Sequence, residues 1–245
     1  MFILFFPYQL CLSGTPNAPF LPGENLEYSL KWGFLPVGFA TMEVGPRKQG
    51  GEEPWEVRFS VRTNSFADNF YKVRTRITSW VDMNFTRSLK YQKSQQEGKT
   101  NKEIIVDFNY EKEKVIFSEN NQLPRTLTLT QSVYDPLSIA FAFRFIPSNQ
   151  QQKKTLPVCD GKKFLDIRLN VGEKVKIEVP YGTFWANEVV PDMKNLSGVF
   201  KKSPRGVLKI WYSADQQRIP IKISSEVVVG SFTAQLVRAK GLKMN

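Results

Sequence analysis

Histidine is absent from all 245 residues, and cysteine occurs only as Cys11 and Cys159. The first absence removes the usual general base at neutral pH, the Ser/His and Cys/His nucleophile pairs and every histidine-based metal site. Two cysteines are too few for a zinc cluster or a dense disulfide framework, and if Cys11 leaves with a leader, Cys159 stands alone. Nucleotide and hydrolase signatures of the G-x-x-x-x-G-K-[ST], G-x-G-x-x-G and G-x-S-x-G types are missing from any fitting context. Neither a catalytic set nor a metal or cofactor site is expected. Acidic residues are also in deficit: 34 Lys+Arg against 23 Asp+Glu give a net charge of +11. Such a surface attracts anionic partners, less strongly as salt rises. Anionic lipid and acidic glycans fit. Nucleic acid fits by charge alone, and no basic-aromatic module of a nucleic-acid-binding fold accompanies it.

What is present is an ordinary folded composition, 41% hydrophobic with 13% aromatic residues. The run FILFFPYQLCL over residues 2–12 has the length of a signal-peptide core and is too short to span a bilayer as a helix. Residues 1–18 are therefore expected to be a leader or its remnant, and 19–240 a single domain. No Lys or Arg precedes the run, and Tyr8, Gln9 and Leu10 before Cys11 do not make a lipobox. The competing reading of this segment is a first strand or buried tail.

From Glu24 the pattern alternates with period two. Leu26, Tyr28, Leu30 and Trp32 share one face, as a half-buried strand requires. Gly33 to Gly38 supplies turn chemistry, and Ala40, Met42 and Val44 return as the second arm of a hairpin. The same rhythm recurs at Trp55–Val61 and Tyr71–Val81, then in shorter runs separated by turns such as Glu97-Gly98-Lys99 and Glu119-Asn120-Asn121. After residue 154 strands resume, including separate runs at Lys163–Val171 and Glu173–Val179 joined to their neighbours by turns such as Asp160-Gly161. The expected fold is mainly β: a large curled antiparallel sheet, barrel or half-barrel like, with a sandwich still open.

One segment departs from that rhythm. Asp135 can cap a helix begun by Pro136, with Leu137, Ala140, Phe141 and Phe145 at helical spacing. A main helix over Asp135–Phe145 is expected to plug or cover one face of the sheet. The remaining carboxylates, among them Asp68, Asp82, Asp107, Asp160, Asp166 and Asp215, are scattered and read as turn or solvated-face residues.

A series of fragments in order resembles the bacterial exported domain of unknown function 3108. It opens with Pro19-Phe20-Leu21-Pro22-Gly23-Glu24 and Trp32-Gly33, continues through Tyr134-Asp135-Pro136-Leu137-Ser138 and Leu156-Pro157-Val158, and closes with Leu208-Lys209-Ile210-Trp211 and Val229 to Leu236. The likeness runs from about Pro19 to Arg238. It implies an exported, mostly β protein of the periplasm or outer membrane, and it brings no named activity.

Two basic clusters are the candidate partner or ligand surface. Arg74, Arg76 and Trp80 share a strand face suited to an anionic headgroup or a sugar, and equally suited to plain exposure. Lys201, Lys202 and Arg205 form a basic loop around Pro204, open to anionic lipid or polysaccharide or to simple solvation. The leading expectation is a non-enzymatic envelope scaffold or accessory subunit that holds a protein partner, with peripheral membrane association compatible with its charge. The alternatives are a carrier of an apolar or acyl ligand in a curved sheet, and a glycan binder or glycan-acting enzyme.

Overall fold

The computed structural model describes residues 18–47, 53–146, 154–192, 208–226 and 230–243. The leader segment with Cys11, and the basic loop of Lys201, Lys202 and Arg205, lie outside the described residues.

The chain opens with β1 (Asn25–Trp32), β2 (Leu35–Val44), β3 (Trp55–Thr63), a short α1 (Ser65–Asp68), β4 (Val73–Val81), β5 (Ser88–Glu97), β6 (Thr100–Asn109), β7 (Lys114–Glu119) and β8 (Arg125–Thr128). After α2 (Ser138–Phe145) come β9 (Lys154–Cys159), β10 (Phe164–Val179), β11 (Gly182–Pro191), β12 (Leu208–Ser213), β13 (Pro220–Glu226) and β14 (Ser231–Lys240). All strands join one antiparallel sheet of 14 in the order β8-β7-β6-β5-β4-β3-β2-β1-β14-β13-β12-β11-β10-β9. Two meanders thus meet where β1 pairs with β14, and the sheet ends, unclosed, on β8 and β9.

Short turns dictate this neighbour-to-neighbour order, because antiparallel strands joined by tight loops pair with each other first. The register follows the alternation: Leu26 and Tyr28 are buried, as are Met42 opposite Leu26 and Ala40 opposite Tyr28. The two expected runs from Lys163 to Val179 are one strand of 16 residues, β10, with a register shift between Val171 and Lys174. Gly172-Glu173 breaks the side-chain alternation without ending the ladder, as a bulge does.

The sheet curls around α2. Ser79 of β4 and Ser88 of β5 donate to the Asp135 carboxylate just before the helix, while Tyr212 of β12 donates its hydroxyl to Ala140 O at 3.1 Å and packs its ring 4.5 Å from that of Phe143. Strands remote in sheet order therefore grip one short helix. Phe141, Ala142, Phe143 and Arg144 are all buried, so α2 is enclosed rather than laid on a surface. Regular helix begins at Ser138, later than expected, yet Asp135 still serves its N-terminus by accepting from the amides of Leu137 and Ser138 at 2.8 and 2.9 Å.

The strand-like approach to α2 links the start of β5 to the β9 edge. Val133 O accepts from Ser88 N at 2.8 Å, and Tyr134 exchanges two backbone bonds with β9, at Pro157 O and Cys159 N. At the β9–β10 turn, Gly161 lies against Phe117 and Val106, and Lys162 pairs with Glu119 at 2.7 Å. The β9 edge so rests against β5, β6 and β7 through a strap, a turn and an ion pair.

Candidate functional site

Cross-strand register sorts the inward side chains of β2 to β7 into rows. In one row, Val44, Val57, Ser79, Tyr91, Val106 and Phe117 stand side by side, all buried. The next row towards the β1–β2 turn holds Met42, Phe59, Ile77, Lys93 and Ile104, of which only Met42 is buried and the rest are half-buried. The row beyond that is mixed: Ala40 and Thr75 are buried, while Val61, Gln95 and Lys102 are half-buried. On the other half of the sheet, Ile210, Ile223, Ala234 and Leu30 form a matching half-buried row.

The interior is therefore fully buried at the end occupied by α2 and only partly buried in the two rows beyond it. The cause is the length of the plug: α2 has eight residues, about 12 Å of helix at 1.5 Å per residue, whereas strands of nine or ten residues reach about 30 Å. Side chains beyond its reach, Phe59, Val61, Ile77 and Ile104 among them, turn inward and pack against the margin of the core while staying only partly buried. The half-buried wall is apolar on β3, β4 and β12 to β14, polar on β5 through Lys93 and Gln95, and mixed on β6, which contributes Ile104 and Lys102.

Lys93 is the charged member of the half-buried row, between Ile77 and Ile104 on neighbouring strands. Burial pushes its ammonium below the usual lysine range, Glu97 opposes that and Lys102 adds to it. It makes no hydrogen bond or ion pair within the described residues. A cation held in apolar surroundings without a bonded carboxylate is suited to an anion arriving with apolar material attached. Sequence reasoning passed over Lys93, although the alternation Tyr91-x-Lys93 already places it on the inward face.

The dry end is held by two hydrogen-bonded polar clusters. Asp135, fully buried, receives both serine hydroxyls and two helix amides; desolvation raises its pKa and these four donors pull against the rise. Arg144 forks onto Glu24 at 2.5 and 2.9 Å and also donates to Gln217 O at 2.9 Å. Burial pushes the Cys159 thiol up to about 11, which keeps it protonated and unreactive at neutral pH. No group of three or more Cys, Asp or Glu placed to hold a metal occurs among the described residues.

The structure separates the basic strand face chosen from sequence. Arg74 is engaged with Asp68 of α1 at 2.5 Å and with Thr63, tying the β3–β4 connection to the sheet. Arg76 lines a shallow outer groove of 240 Å³ shared with Arg58, Glu43, Thr41 and Ser60. Trp80 is half-buried with the Lys90 ammonium 5.9 Å from its ring. The three share a face, and each has a different neighbour set.

One solved structure shares this fold, and two others align with lower scores. A β-barrel-like protein of domain of unknown function DUF1849 from Brucella abortus superposes with a TM-score of 0.60, at 11% identity, over 91% of this chain and 99% of its own. A Bacteroides fragilis protein provisionally described as exported, with a YmcC-like fold, gives 0.39 at 11% identity over 91% and 98%. A Parabacteroides distasonis protein provisionally described as a lipoprotein gives 0.34 at 12% identity over 91% and 97%. At such identities the Brucella likeness speaks for the fold alone. No functionally curated protein matches the chain. Residues 27–237 match the model of the protein family of unknown function DUF3108, and the chain belongs to that family.

Proposed function

We propose that this chain is a non-catalytic protein of the bacterial cell envelope, exported to the periplasm or the outer membrane, that holds an amphiphile in the unplugged end of its curled sheet. The step from a fully buried inward row to one in which only Met42 is buried carries the reading. A fold that needed only a core would gain roughly 25 cal/mol for each Å² of apolar surface removed from water by closing over Phe59, Ile77 and Ile104. Here the plug stops short and leaves them half-exposed. An acyl chain would lie on that apolar wall, and an anionic headgroup would meet Lys93 on the polar one.

The scaffold and accessory-subunit reading draws on the outer sheet face and on the edge strands. The glycan reading draws on carboxylates in an open groove. Neither accounts for apolar side chains turned inward and left wet, so carriage is preferred.

Native mass spectrometry of the chain gently extracted from bacterial envelopes tests this reading. The wild type is expected to carry lipid-sized adducts, and Lys93→Glu to lose the anionic ones while keeping its fold by circular dichroism. Wild-type protein that emerges empty would overturn it.

A further inference from the structure

At the wet end of the sheet, four connections stand in one linked rim. Gly33 N of the β1–β2 turn donates to Ser231 O at 2.9 Å, at the start of β14. Asn64, which caps α1, donates its amide to Val37 O at 2.9 Å and its side chain to Pro36 O at 2.8 Å, so α1 sits against β2. Gly98 N of the β5–β6 turn donates to Lys72 O at 2.8 Å, and Tyr71 packs against the same glycine.

This rim is aromatic where turns are ordinarily polar. Phe34, at the apex of the two-residue β1–β2 turn, is 87% exposed, and Phe70, after α1, is 77% exposed. Phe66 and Tyr71 are also exposed, as are Trp32 and Phe232, whose rings stack with centroids 6.4 Å apart. Exposed cations stand among them at Arg62, Lys72 and Lys99. The carboxylate of α1, Asp68, is already engaged by Arg74, Glu97 belongs to the inward face, and Glu226, opposite Ser231, is an exposed carboxylate that leaves the three cations in excess. Excess positive charge beside a collar of exposed rings is complementary to an anionic bilayer, whose interfacial zone takes aromatic rings at headgroup depth and whose surface attracts Lys and Arg.

We infer that this rim is a docking surface for an anionic lipid bilayer, with Phe34 and Phe70 as the inserting side chains and Arg62, Lys72 and Lys99 meeting lipid headgroups. The inference stands on the rim and is independent of what the interior holds. Docked this way, the wet end of the interior opens onto the membrane.

Co-sedimentation of the full chain with vesicles of phosphatidylglycerol and phosphatidylethanolamine, against phosphatidylcholine alone, tests it. Binding is expected to the anionic vesicles and to weaken with salt. Each of Phe34→Ser and Phe70→Ser is expected to lower partitioning roughly tenfold, since a buried phenyl ring is worth at least that factor. Both positions are solvent-exposed, so the fold should be kept, and the N-terminal apolar run is identical in all variants. In brominated lipid, Phe34→Trp should show stronger fluorescence quenching than wild type. Equal binding by wild type and both serine variants would overturn the inference. So would absence of vesicle binding together with rim-dependent self-association in sedimentation velocity. Vesicle binding by a chain that carries no adduct would support docking while removing the carrier reading.

Discussion

Arg144 of α2 and Glu24, the residue before β1, form a two-pronged ion pair in the interior, with their side chains 0% and 1% exposed. The pair joins the plug to the strand from which both meanders spread. Arg218 Nε in turn donates to Arg144 O, drawing the β12–β13 turn onto the same helix.

Removing one partner of such a pair strands a buried charge. Glu24→Gln is therefore expected to lower stability by about 3–5 kcal/mol, measured by urea denaturation. A loss below about 1 kcal/mol, the range of surface pairs, would mean that the pair does not anchor the plug.

Asp135 predicts a pH effect of definite sign. Its folded-state pKa is raised by desolvation, so between the ordinary carboxylate value and the raised one the folded state binds more protons than the unfolded. Stability contributed by this group is then greatest at acid pH and falls as pH rises through that window. The difference in unfolding free energy between wild type and Asp135→Asn should become less favourable to wild type across the window. A flat difference curve would show that the four hydrogen bonds cancel the desolvation.

The Asp68–Arg74 pair behaves in the opposite sense. Hydrogen bonds from Arg74 and Thr63 lower the Asp68 pKa to about 2. The contribution to stability is present above the ordinary carboxylate pKa and is lost only as pH falls through the depressed value. Carbon-13 NMR titration should find Asp68 still ionised at pH 3, and Arg74→Gln should return it towards the usual range. An unmoved midpoint in that variant would refute the assignment of cause.

Gly161 reports on how the β9–β10 turn seats against β6 and β7. Its φ is 85°, and a Cβ there would stand 2.5 Å from Phe117 and 2.8 Å from Val106. Gly161→Ala should destabilise by about 2–4 kcal/mol, from overpacking plus the left-handed backbone. Thermal unfolding matching wild type would indicate that this turn lifts away from β6 and β7 freely.

Much of the architecture was legible from the chain. Alternation located the strands because one residue of slip would expose a whole buried row, and the β9 boundaries Lys154–Cys159 were read directly. The 16-residue β10 was divided in two because a bulge interrupts alternation while leaving the ladder intact. Arg144 was passed over, although it falls seven positions after Leu137 on the apolar side of α2; its partner Glu24 is 120 residues away and leaves no local sign. The Arg74, Arg76 and Trp80 face was placed correctly on one side of β4, but Asp68 was beyond prediction as the group that engages Arg74, because α1 has only four residues.

The sequence by itself determined that the chain forms strands rather than helices, which side chains turn inward, and which histidine-dependent chemistries are closed to it, since these follow from composition and from a two-residue period. Tertiary structure alone decided how far α2 reaches into the curled sheet, which inward residues it leaves wet, and that Phe34, Phe70 and Trp32 share one rim. Those outcomes depend on distances between segments remote in the chain, and local periodicity carries no measure of them.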